Sequence, residues 1–191
     1  SVNVIAGKLV PQSFPGMIFL YGALGKIIGL SAIAFVSPIL ALLCVLVFYW
    51  LIKIIFDNNV AFWSALILLF LPPFWFNSGK SMLHNTTFIF FLLLGLLLLY
   101  NFANRKKVIY SALGCFSLGL SLFIRTAELL PVAITIAIFV ISFWKIFDRK
   151  TFLAGFACFI LPLLGLLALN YWIYTHFFSF NRQFMSLPFN R

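Results

Sequence analysis

Six long apolar runs dominate this chain and fix what it can become. They lie near 33–56, 60–76, 86–102, 108–124, 129–147 and 152–174. A helix needs about 20 predominantly apolar residues to cross a bilayer. Charged residues make up 8% of the sequence, where a soluble domain carries about 25%. Too few charges exist to cover a soluble surface, which excludes a cytosolic enzyme, a nucleic-acid module and a disordered tail. The expectation is an all-α polytopic membrane helix bundle: about six transmembrane helices plus one interfacial helix.

The interfacial helix is expected at 14–30. This run opens on Phe14-Pro15-Gly16, is interrupted by Lys26 and is short for a span. The residues before it, 1–13, read as mixed and mildly polar. The whole of 1–191 is expected to form a single transmembrane domain, a piece of a longer protein. It starts at Ser1 with no charged stretch leading into a signal-type apolar core.

Thirteen Lys and Arg against three Asp and Glu give a net charge of +10. The cations sit at the edges of apolar runs, so they read as topology signals and not as a nucleic-acid surface. Compact clusters at Lys53/Asp57, at Arg105-Lys106-Lys107 and at Lys145/Arg149/Lys150 alternate with less basic connections. The positive-inside rule puts these clusters in the cytoplasm. Lys80, His84, Arg125, Glu128 and the tail after Tyr174 then face outward, with Trp75, Tyr171, Trp172 and Tyr174 as an outer aromatic belt. Cys44, Cys115 and Cys158 lie inside apolar runs without metal-like spacing, and no metal site is expected from them.

The outer end collects the residues able to carry chemistry. One span begins at Asn85-Thr86-Thr87 and another near Glu128. Helix N-termini favour anions, and Lys80 and Arg125 add full positive charge. Arg125, Glu128, Lys80 and His84 are therefore the candidate phosphate-binding residues. Each has a plainer reading. Arg125 pairs with Glu128 three residues on and snorkels at a helix end. Glu128 caps a helix dipole, Asn85 is an N-cap, His84 is an interfacial side chain and Lys80 a solvated loop cation. No phosphate loop, dinucleotide fingerprint, metal-spaced Cys/His set or nucleophile elbow is present.

The order of features resembles the GT-C class of membrane glycosyltransferases. It is most similar to the bacterial branch using polyprenyl-phosphate sugars, related to protein O-mannosyltransferases and aminoarabinose transferases. Val10-Pro11-Gln12-Ser13-Phe14-Pro15-Gly16, with Tyr21, Lys26 and Gly29, resembles that class's proline-led outer segment. Leu71-Pro72-Pro73 is similar to the end of its third span. Gly114 through Gly119 to Ile124-Arg125-Thr126 resembles a small-residue span ending in a basic residue. Leu169-Asn170-Tyr171 leading to Phe177-Phe178-Ser179-Phe180 resembles a return to the outer face.

The resemblance implies a lipid-phosphate sugar donor, a glycan, lipid or protein acceptor, membrane lipids as surroundings, and a plasma (inner) membrane location. It implies no cofactor beyond the donor and leaves a divalent metal open. It also implies that an acidic residue deprotonates the acceptor hydroxyl while cations stabilise the leaving phosphate. That class carries its catalytic Asp or Glu in a first outer loop ahead of the proline-led segment, so the catalytic residue is expected upstream of Ser1, and this piece alone is expected to be inactive. The lysine often found before the prolines is not matched, since Val10 precedes Pro11. Two other readings stay open: a transporter or flippase of an amphipathic anion, and a purely structural membrane subunit.

Overall fold

The computed structural model describes residues 2–5, 8–11, 14–79, 84–143, 146 and 148–173. Among the described residues eight α-helices follow a short hairpin: β1 (Val2–Ile5), β2 (Lys8–Pro11), α1 (Pro15–Ile28), α2 (Ile33–Ile55), α3 (Asn58–Phe70), α4 (Pro72–Gly79), α5 (His84–Arg105), α6 (Val108–Ile124), α7 (Leu129–Phe143) and α8 (Arg149–Ile173). The chain forms an all-α bundle. The hairpin is a small addition that composition had hidden: β1 and β2 pair antiparallel, Val2 opposite Pro11 and Ile5 opposite Lys8. Val2, Val4, Ile5 and Val10 supply the β-branched residues that suit strands.

Among the described residues four segments are long and apolar enough to cross a membrane: Ile33–Ile55, His84–Arg105, Thr126–Phe143 and Arg149–Trp172. A fifth is a broken pair, α3 and α4, bent by 59°. The run expected as one span over 60–76 is thus two helices, and Pro72-Pro73 is the reason. The residue before a proline is pushed out of the α region, and Leu71 is extended at φ −68°, ψ 118°. Pro72 then starts α4, where its missing N–H costs nothing. The sixth, α6, is a shorter apolar helix of 17 residues.

Local signals explain several boundaries. Asp57 caps α3, its Oδ1 accepting from the Val60 N–H at 2.8 Å. The helix of α6 stops at Arg125, whose N–H makes a last bond to the Ser121 carbonyl at 3.0 Å. A helix continuing onward would need an N–H from Pro131 for the Ala127 carbonyl, which proline lacks. A 3-10 turn, Thr126–Glu128, intervenes before α7. In α8, Pro162 lies within a helix assigned without a break from Arg149 to Ile173. It sits where a side chain on Gly119 would have to go.

The core is the stack of α2, α5, α6 and α8. Small residues set its spacing. A side chain on Gly95 would run into Leu118, and one on Gly119 into the Phe159 carbonyl, so backbones approach closely, as in helix pairs within lipid. Val47 and Leu51 of α2 meet Leu97 of α5. Leu99 and Ala103 of α5 meet Leu118 of α6 and Phe139 of α7. The outward faces of α7 and α8 stay apolar and exposed, with Ile134, Ile138, Ile141, Leu153, Phe156 and Leu161 among them. Such a surface suits lipid, not water.

Candidate functional site

Three chain breaks meet at one end of the bundle: the start of α1, the start of α5 and the turn between α6 and α7. Arg125 stands at their junction. Its backbone is extended, φ −140° and ψ 90°, which turns the side chain across the bundle to α5. Nη1 donates to Asn85 Oδ1 at 2.7 Å. Nη2 pairs with Glu128 Oε1 at 2.9 Å, both side chains being about a quarter exposed, 28% and 27%. The third nitrogen, Nε, is buried and has no hydrogen-bond partner among the described residues.

The structure brings three of the four candidates together. Arg125 and Glu128 form the ion pair. His84, the first residue of α5, lies within electrostatic reach of Arg125 and stacks on Phe14, ring centroids 4.2 Å apart and planes 21° from parallel. Lys80, the fourth, lies outside the described residues, as does the tail after Tyr174. One expectation is corrected: Asn85 is not an N-cap. The helix starts earlier, at His84, which puts Asn85 in the first turn and frees its side chain to accept from Arg125.

Sequence reasoning missed what holds this junction in place. Helix α1 does more than lie along a surface; it packs into the bundle on Gly16, Met17, Tyr21 and Gly25. Gly16 lies so close to the Phe123 carbonyl that any side chain there would collide with it. Tyr21 is buried, and its hydroxyl meets Thr87 Oγ1 at 2.9 Å and Ser37 Oγ at 3.3 Å. Phe14, just ahead of α1, has a left-handed backbone at φ 53°, ψ 58°. That conformation costs about 1–2 kcal/mol in a residue with a Cβ, and it carries the ring onto His84. Helix α1 therefore braces the start of α5 at two points and the end of α6 at a third. Met17, Tyr21 and Gly25 share one face of a helix, but the run is apolar on its other faces too, so the spacing did not single that face out.

Among the described residues no group of three His, Cys, Asp or Glu side chains could hold a metal ion. What this end offers is one guanidinium with one carboxylate beside it.

A bundle of apolar, closely packed helices with a charged junction at one end defines an integral membrane protein. The model of the dolichyl-phosphate-mannose-protein mannosyltransferase family matches residues 15–172, from the first residue of α1 to near the end of α8, and the chain belongs to that family of membrane glycosyltransferases. Neither curated proteins nor solved structures give a match to the chain.

Proposed function

We propose that this chain is part of an enzyme that transfers a sugar from a polyprenyl-phosphate donor to an acceptor hydroxyl at the outer face of the plasma membrane. Arg125 holds the donor's phosphate. The observation that carries this reading is the Arg125 guanidinium, half-buried, fixed by Asn85 and with an Nε that no described residue engages. Arginine binds phosphate through parallel N–H donors, and at low dielectric such a charge suits a leaving phosphate better than a neutral ligand.

In this reading the acceptor oxygen attacks the anomeric carbon, the bond from that carbon to the phosphate oxygen breaks, and the acceptor's proton passes to a carboxylate. Glu128 occupies one of the guanidinium donors that a phosphate would use. It acts as an internal placeholder, displaced when the donor binds. Of the three acidic residues in the sequence, Asp57 caps α3 and Asp148 lies at the opposite end of the bundle, so Glu128 is the one carboxylate beside Arg125. The transporter reading draws no support from the helices: the described spans carry no ionisable residue in their middle turns, where transport paths place them.

Right-side-out and inverted vesicles holding the full-length protein test the proposal. Mannosyl transfer from a polyprenyl-phosphate donor supplied to the outer face is the expected result. Transfer only from a nucleotide-linked sugar, or only from the cytoplasmic face, contradicts it.

A further inference from the structure

The far end of the bundle holds a second feature that the Arg125 site does not use. Leu99 of α5, Ser111, Cys115 and Leu118 of α6, Ile136, Phe139 and Val140 of α7, and Gly155 and Phe159 of α8 enclose a half-open apolar cleft of about 290 Å³. Its size is that of a small ligand site. One polar atom in it is poorly satisfied. Ser111 is fully buried, and among the described residues its Oγ meets only the Cys115 thiol, a weak partner.

Helices α6 and α8 run parallel here. A side chain on Gly155 would meet both Ser111 and Cys115, while one on Gly119 meets Phe159, four residues further along each helix. Their N-termini therefore open side by side at the same face. Lys107 is the N-cap of α6 and offers no side-chain cap; the Tyr110 N–H turns back to the Lys107 carbonyl at 3.0 Å, and the N–H groups of Val108 and Ile109 ahead of it face an anion. Arg149 and Lys150 begin α8, and all three cations are exposed. Lys106 adds a fourth; Arg105 is engaged with Tyr110, and Asp148 is the acid in the adjoining turn.

Along α6 the chemistry is graded turn by turn on one face. Lys107 comes first, Ser111 one turn deeper at about 5.4 Å, then Cys115 and Leu118. A glycerophospholipid has the same gradient: phosphate, ester carbonyl, hydrocarbon. We infer that this cleft binds an anionic phospholipid, with its phosphate at Lys107, Arg149 and Lys150, an ester carbonyl accepting from Ser111 Oγ, and one acyl chain between α6, α7 and α8. Basic sites between membrane helices bind anionic headgroups on this principle, at about 1 kcal/mol, or roughly fivefold, per cation. The site is separate from Arg125, and its test does not depend on sugar transfer.

The full-length protein is placed in nanodiscs of phosphatidylcholine or of phosphatidylglycerol with identical acyl chains. Lipid retained after extraction is counted by native mass spectrometry, and thermal melting is followed alongside. The wild type should retain phosphatidylglycerol and melt higher with it. Removing Lys107, Arg149 and Lys150 together to Ala should abolish the difference. Ser111→Ala, a small change, should weaken retention about threefold. Val140→Trp, which fills the cleft from the loosely packed α7, should reduce retention to the phosphatidylcholine level. Equal retention of the two lipids overturns the inference. So does a phosphatidylglycerol effect that survives Val140→Trp in a folded protein, which makes it surface charge alone, or an equal melting shift from soluble glycerophosphate, which makes it a site for the headgroup without the chain.

Discussion

Arg125 and Glu128 were legible in the sequence as an i, i+3 pair; their partners were not. Nothing in the primary structure connects Arg125 to Asn85, forty positions away, and Asn85 ahead of Thr86-Thr87 reads as a helix cap. The contact exists because α5 starts one residue ahead of Asn85 and because Arg125 is extended. The pair allows a sharp test of the placeholder reading. Glu128→Gln removes the competing charge while keeping the shape of the side chain. The expected outcome is tighter donor binding, by severalfold, with little loss of stability, since a partly exposed ion pair contributes about 0–1 kcal/mol. Weaker donor binding in a well-folded Glu128→Gln protein contradicts the placeholder role. A second residue-scale test concerns Tyr21, which the sequence showed only as part of a segment resembling a known family. Tyr21→Phe strands the hydroxyls of Ser37 and Thr87, and unsatisfied buried groups cost about 1–3 kcal/mol. Thermal melting should fall accordingly. An unchanged melting temperature means the network does not brace α1.

At the scale of elements, the helices were legible because their apolar runs are long and their breaks are marked. Asp57-Asn58-Asn59, Arg105-Lys106-Lys107 and the turn after Arg125 all end helices close to where the polar residues stand. The α3–α4 bend was less so. Pro72-Pro73 was visible, but within an uninterrupted apolar run it did not declare whether it closed a span or divided one. The docking of α1 was hidden for a different reason. Its run is apolar nearly all round, so hydropathy does not say which face is buried; complementary shape does, through Gly16 against the Phe123 carbonyl. The same reasoning identifies Gly119 as the seam between α6 and α8. Gly119→Val should force those helices apart, since added bulk in a tight core costs about 1–3 kcal/mol. Reduced yield and melting temperature are the expected result. Gly22, which faces open space, should tolerate the same change with no loss.

For the whole molecule, the alternation of helices sorts the charges to opposite ends. Arg105, Lys106 and Lys107 share one end with Arg149 and Lys150, and Arg125, Glu128 and His84 share the other. Sequence alone supplied this sorting through the positive-inside rule, because short loops leave a chain of spans little choice but to alternate. Which end faces the cytoplasm is a prediction of that rule. Single cysteines at Ser78 and at Asn104, in a background lacking Cys44, Cys115 and Cys158, should label from opposite sides of the membrane, Ser78 from outside. Labelling of both from one side contradicts the arrangement.

The central claim is that Arg125 holds a phosphate, and one paired measurement bears on it most directly: transfer rate per folded molecule for Arg125→Lys and Arg125→Ala in the full-length protein. Lysine keeps the charge but not the parallel donors. The account predicts a clear loss in the lysine variant, about tenfold or more, consistent with a charge-assisted bond of roughly 1.5–3 kcal/mol, and a larger loss in the alanine variant, with membrane yield preserved for lysine. If Arg125 only snorkels and pairs with Glu128, the lysine variant stays active and any loss in alanine follows its yield. Full activity in a well-expressed Arg125→Ala protein contradicts the claim outright.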